Sequence, residues 1–429
     1  MRSIFLMATC ICLYGFAAPM PSPQLLARIK NGPDVIAIVH WGPNTYLGRE
    51  WGYGDASPAI VNPSKFNADQ IASACKAGGI GGIVFVAKHH DGFCLWPTKT
   101  TEYNISKSPF RDGKGDCVKE METACRRAGL KFGIYISPWD RNNADYGTPK
   151  YVETYHAQYR ELCGGAYGEI FEAWFDGANG GDGYYGGARE RRRIPNRYYR
   201  YDDLAKMLLE LQPSITFMGI GDFSWPGNEA GVIQPNTSHS DASRFRMFEA
   251  DFPLRRRWFY DAHHKGMSKN GYTLAKIYFT SVGRGGTMNI GIAPNKDGVL
   301  DEEDCEKLCA FGRIKAELFA NEVKDDGGRF NIVELNEDLS YGEQVQEWSL
   351  VANGKTVASG RFIGAKRLIA FLEPLAARGL EVGVPSNLRK FVSVRRYLAP
   401  PELLKRIGVA DAAADTDTAK KMRSGATSN

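Results

Sequence analysis

The sequence predicts an α/β protein, a TIM-like (β/α) barrel followed by a small C-terminal antiparallel β-sandwich. Three observations predict it. Between Asp34 and Pro294, short apolar runs alternate with segments of helical spacing, the pattern of buried strands joined by crossover helices. Several of these runs end on polar side chains, where such a barrel places its chemistry. Beyond Asp325 the chain changes to short alternating segments separated by turn residues, as in an antiparallel sandwich.

Residues 1–18 read as a signal peptide, with Arg2 as its positive region, Ile4 to Phe16 as its apolar stretch and Ala17 or Ala18 near cleavage. That predicts export to the periplasm or the cell exterior. The apolar stretch is too short to span a bilayer, and no other segment is long enough. Residues 24–322 are assigned to the barrel. Its expected strands are Val35–His40, Gly82–Lys88, Lys131–Ile136, Glu169–Phe175, Ser214–Gly219 and Thr287–Ile292. The expected helices are Ala68–Ala77, Val118–Ala128, Tyr151–Cys163, Asp203–Leu211, Leu274–Ser281 and Asp301–Ala320. Gly129 suits a C-terminal cap, and the acids after Asp301 complement a helix dipole. From Ile220 to Asp261 the pattern is irregular, and periodicity alone does not yield eight strands. The sandwich is assigned to residues 323–398, and 399–429 to a disordered tail that begins as a short helix.

Composition narrows the function. A net charge of +5 over 429 residues is mild, and the Arg189–Arg193 cluster has no nucleic-acid module around it. Nine cysteines become seven without Cys10 and Cys12. An odd number without metal-type spacing is not a disulfide scaffold, and Cys305 and Cys309, at helical spacing, read as core thiols. No Gly-x-Ser-x-Gly elbow is present. The glycine-rich stretches lack the context of a phosphate or dinucleotide loop. No metal-ligand spacing stands out, so neither a metal nor an organic cofactor is expected.

Polar residues gather after the expected strands at His40, His89-His90-Asp91, Tyr135 and Trp174-Phe175-Asp176. Adjacent strand residues face opposite sides, which leaves the roles of His89 and His90 open. Glycoside hydrolysis needs one acid at the leaving oxygen and one carboxylate at the anomeric carbon. Asp176, delivered by a buried strand to a glycine-rich loop, is the candidate for the second role. Glu229 and Glu249 are candidates for the first, and spacing does not choose between them.

The chain resembles the α-L-fucosidases of glycoside hydrolase family 29. The matching segments include His40-Trp41-Gly42, Gly48-Arg49-Glu50-Trp51, Lys88-His89-His90-Asp91-Gly92-Phe93, Trp174-Phe175-Asp176-Gly177, Gly227-Asn228-Glu229-Ala230-Gly231, Glu249-Ala250-Asp251, Trp258-Phe259-Tyr260 and Ser281-Val282-Gly283-Arg284-Gly285-Gly286. The resemblance implies an exo-acting, retaining enzyme that takes terminal fucose from an oligosaccharide or glycoprotein glycan. Asp176 would be its nucleophile. Gly-Asn-Glu-Ala-Gly is similar to the branch that prefers α-1,3/1,4-linked fucose, which favours Glu229 over Glu249 as acid/base. His40, Glu50, His89, His90, Tyr135, Trp174 and Arg255 match positions that hold fucose hydroxyls or the nucleophile, and Trp51 and Trp258 match wall positions. An Arg near Asp176 would keep it ionised.

Three places depart from the family pattern. Ser224 stands where an Arg commonly precedes the Trp, Arg255-Arg256-Arg257 replaces Arg-Pro-Gly, and Asp261 replaces a His. The Arg- and Tyr-rich insertion 184–200 would rim the cleft or form an interface. The competing readings are a glycosidase for a related sugar such as a galactoside, and a silent carbohydrate-binding barrel.

Overall fold

Eight parallel strands close into a barrel whose order around the ring follows the chain. They are Val35–Val39, Gly82–Lys88, Lys131–Ile136, Glu172–Trp174, Thr216–Met218, Phe223–Ser224, Met247–Pro253 and Thr287–Ile292. Val35 pairs with Met288 in register, so the first strand meets the last. This computed structural model describes residues 19–409 apart from 242, 325 and 326. The expected signal peptide lies outside the described residues. No helix among them is long and apolar enough to cross a membrane.

The irregular stretch supplies the sixth and seventh strands. The sixth has only two residues. The seventh carries Glu249 and Asp251 on its buried positions, which breaks the apolar pattern that marks the other strands.

An unexpected helix, Pro23–Asn31, packs across the N-terminal ends of the strands. Ser22 caps it and Pro23 opens it, a favourable start because Pro lacks only a donor that would be unpaired there. Its Arg28 forms a buried ion pair with Glu172 and donates to Thr216 Oγ1 at 2.9 Å. The guanidinium also lies 4.6 Å from the ring centres of Phe171 and Phe223. Cation, carboxylate and aromatic faces thus satisfy one another in the barrel floor.

Two three-stranded antiparallel sheets follow, centred on Arg329–Glu337 and Trp348–Ala352. Phe330, Val333, Leu335, Leu350 and Ile369 fill the space between them. The Ser281–Gly286 segment is the joint with the barrel. Leu368 N–H donates to the Gly283 carbonyl at 3.0 Å. A side chain on Gly283 would press on Leu368 and on the Phe279 backbone. Within the expected tail, Pro401–Ile407 is a helix that buries Leu403, Leu404 and Ile407 against the barrel core; residues 410–429 lie outside the described residues. Cys305 and Cys309 are unbridged and half-buried on the helix Glu302–Leu318, so they are less enclosed than core thiols.

The floor pair yields a stability prediction. Removing one partner strands a buried charge, so Arg28→Ala should lower unfolding stability by about 3–5 kcal/mol in denaturant titration.

Candidate active site

Inward-facing strand positions recur every two residues, and the fourth strand uses this to step towards the barrel mouth. Glu172 meets Arg28 at the floor. Trp174 packs in the barrel interior, and Asp176 emerges just past the strand end. From the third strand, Tyr135 OH donates to Asp176 Oδ2 at 2.9 Å. The Ala178 backbone N–H donates to Asp176 Oδ1 at 2.7 Å. Both carboxylate oxygens are therefore held, while the side chain stays 25% exposed to a cavity of about 800 Å³.

His89 and His90 both belong to this mouth. The second strand ends at Lys88 after a register shift, so the two histidines escape strict alternation. Lys88 instead turns to Asp140 at 3.2 Å and Tyr151 OH at 3.0 Å. The two imidazole centres lie 4.1 Å apart. His90 Nδ1 meets Ser137 Oγ at 2.7 Å, and its Nε2 faces Asp176 Oδ2 at 3.9 Å. His40, at the end of the first strand, packs on Trp258 at 5.1 Å and Phe259 at 5.4 Å.

Burial holds all three imidazoles in their neutral form. It pushes His40 down to about 3, helped by the neighbouring His90. It pushes His90 down to about 4 although Asp176 pulls the other way. His89 falls well below its ordinary value for the same reason, aided by His90 and His40. A neutral imidazole offers one donor and one acceptor, which suits sugar hydroxyls.

His40, Trp51, His89, His90, Tyr135, Trp174, Asp176, Glu229 and Trp258 all line the cavity. Trp51 stands edge-on to His90 at 5.3 Å. Trp258 rests on Gly291, where any side chain would displace its ring. Glu229 is exposed on a loop after the sixth strand. That loop turns at Gly227 and Gly231, both at positive φ, and Asn228 braces it by contacts to Ala230 and Val232.

Three expected site residues sit elsewhere. Glu249 is fully buried below the mouth, accepting from Trp174 Nε1 at 2.8 Å and Asn289 Nδ2 at 2.7 Å. Burial and the nearby Glu172 charge push its carboxyl well up. It does not line the cavity, and its hydrogen bond supports Trp174 from below. Arg255 does not reach Asp176. The acidic start of Glu302–Leu318 captures it, with Asp301 at 2.8 Å and Asp304 at 2.9 Å. Glu50 lies behind the wall, accepting the Trp258 backbone N–H at 2.5 Å.

The structure adds residues that sequence reasoning missed. Asp251 lines the cavity and is 5% exposed. Alternation carried the signal, because two residues beyond Glu249 the seventh strand again faces inward, one step nearer the mouth. Trp225, Arg246 and residues 194–199 complete the walls, so the insertion rims the cleft. Among the described residues, no group of three or more His, Cys, Asp or Glu side chains is placed to hold a metal ion.

The sequence model of the α-L-fucosidase family matches residues 26–315. The chain belongs to the α-L-fucosidase family. The Alpha-L-fucosidase 1 of Arabidopsis thaliana is 31% identical, over 85% of this chain and 84% of that protein. A crystal structure of a glycoside hydrolase 29 family member from an unknown rumen bacterium superposes with a TM-score of 0.81. It is 34% identical and covers 90% of this chain and 78% of its own. For this fucosidase-family chain, the match spans the whole barrel mouth from His40 to Trp258.

Two predictions follow from the mouth. Tyr135→Phe removes a hydrogen bond to a carboxylate and should cut kcat/KM about 10- to 100-fold on an aryl fucoside. His90 is held neutral, so below pH 6.5 the unfolded chain binds protons that the folded His90 refuses. Its stabilisation therefore fades as pH falls towards about 4. The stability gap between wild type and His90→Asn should shrink by up to about 2 kcal/mol from pH 7 to pH 5 in urea titrations.

Proposed function

We propose that this protein releases terminal α-L-fucose from oligosaccharides or glycoprotein glycans by double displacement. The observation that carries the reading is Asp176, open to the cavity with each oxygen held by a neutral donor. A carboxylate held this way is fixed in position to face the anomeric carbon. In the first step an Asp176 oxygen bonds to that carbon while the glycosidic bond breaks, and Glu229 gives its proton to the departing oxygen. In the second, Glu229 takes a proton from water, whose oxygen attacks the same carbon and frees the Asp176 carboxylate. His40, His89 and His90 hold ring hydroxyls, and the Trp258 face packs on the C6 methyl group.

The cavity supports a branched substrate. Beyond the imidazole cluster its lining extends to residues 194–199 and Trp225, polar and aromatic walls that suit further sugar rings. We propose α-1,3/1,4-linked fucose as the preferred substrate, on the resemblance of Gly227-Asn228-Glu229-Ala230-Gly231 to that branch. Export, expected from residues 1–18, is part of the same proposal.

The test compares a chloronitrophenyl α-L-fucoside, the matching β-D-galactoside and branched fucosylated trisaccharides. Release of fucose from the trisaccharides, with no galactoside turnover, is the expected result. Turnover of the galactoside at a comparable rate would contradict it. Asp176→Ala should lose at least about 10³-fold in kcat and recover part of it with azide on the aryl fucoside. Glu229→Ala should slow trisaccharide cleavage about 10²-fold or more while affecting the activated fucoside far less.

A further inference from the structure

Asp251 is a third carboxyl of the cavity, and neither chemical step above uses it. It is nearly fully buried beside two other acids, a costly place for a carboxyl with no task. Its Oδ1 accepts the Trp225 indole N–H at 2.8 Å. Trp225 belongs to the loop that carries Glu229, yet its ring is 49% exposed at the cavity wall. With about half of the residue in solvent, this hydrogen bond ties the indole to the seventh barrel strand.

The segment from Trp225 to Glu229 is built to transmit that hold. Pro226 has a fixed φ, and Gly227 turns at φ +83°. Asn228 Nδ2 donates to the Val232 carbonyl at 2.8 Å, and its Oδ1 accepts from Ala230 N–H at 3.1 Å. Gly231, at φ +71°, sits so close to Phe252 and Ile277 that no side chain fits there. The loop is braced internally at Asn228 and Gly231 and tied to the barrel through Trp225.

We infer that Asp251 is a positioning residue: by gripping the Trp225 indole it fixes the Glu229 loop and the aglycone wall over the cavity. The inference rests on Glu229 being the acid/base. Electrostatics agree with it. Burial, with the charges of Glu229 and Asp176, pushes Asp251 up to about 7 against the pull of the indole bond. The group therefore holds its proton below neutral pH, where the mouth then carries one negative charge fewer.

The experiment measures kcat and KM for Asp251→Ala, Asp251→Asn and Trp225→Phe. The substrates are a chloronitrophenyl α-L-fucoside and a branched fucosylated trisaccharide. Asn keeps the oxygen that accepts the indole N–H. Phe keeps a ring but lacks that N–H. Asp251→Ala and Trp225→Phe should each shift the trisaccharide-to-aryl ratio of kcat/KM by about tenfold or more against the trisaccharide. Asp251→Asn should restore the ratio to within about threefold of wild type. The Ala and Phe changes combined should lose no more than either alone.

Ratios near wild type in all three variants would overturn the inference and leave the role of Glu229 intact. If Asp251→Asn shifts the ratio as far as Asp251→Ala, Asp251 is itself the proton donor, which also overturns it. If Glu229→Ala fails to distinguish the two substrates, the acid/base assignment fails on its own account, independently of these ratios.

Discussion

The site depends on one constraint: inside a closed barrel, side chains enter only at alternate strand positions, in layers from floor to mouth. The acids of this protein occupy three such layers. Glu172 lies at the floor against Arg28. Glu249 lies above it, facing Trp174 and Asn289. Asp176 and Asp251 reach the mouth, facing Tyr135 and Trp225. One side-chain type thus serves different ends according to depth. The floor acid is paired with a cation, the middle one is pushed up by burial and a like charge, and Asp176 is hydrogen-bonded and open to the cavity.

The histidine cluster follows the same logic. Three imidazoles within ring-contact distance cannot all be charged, and burial settles the matter by disfavouring the cation in each. A protonated His90 would pair with Asp176 and quench its charge. As a neutral group 3.9 Å away, it leaves that charge available. The expected partner, Arg255, instead serves the acidic end of a helix behind the wall. Neutral donors, Tyr135 and the Ala178 amide, take its place.

Much of this was legible in the sequence. Long apolar strands such as Val35–Val39 and Gly82–Lys88 announce themselves, and Asp176 stands out because its strand runs straight into glycines. The sixth strand was not legible, since two residues carry no period. The seventh was obscured by its own acids. Choosing between Glu249 and Asp251 required knowing where that strand ends, and the irregular stretch around it hid that. The fate of Arg255 depended on Asp301 and Asp304, about fifty residues downstream. Their position after a turn suggested only a helix start. The Pro23–Asn31 helix did carry a local signal, Ser-Pro before an apolar face, but it is short and stands just after the expected leader.

The central claim is that Asp176 forms the covalent bond to the sugar. A 2-deoxy-2-fluoro-fucosyl fluoride traps such an ester, and peptide mass mapping after proteolysis locates it. The account predicts one fucosyl adduct per chain on the peptide carrying Trp174-Phe175-Asp176. An adduct on Glu229 or Asp251 would contradict it. So would full turnover of the reagent with inversion at the anomeric carbon and no adduct at all.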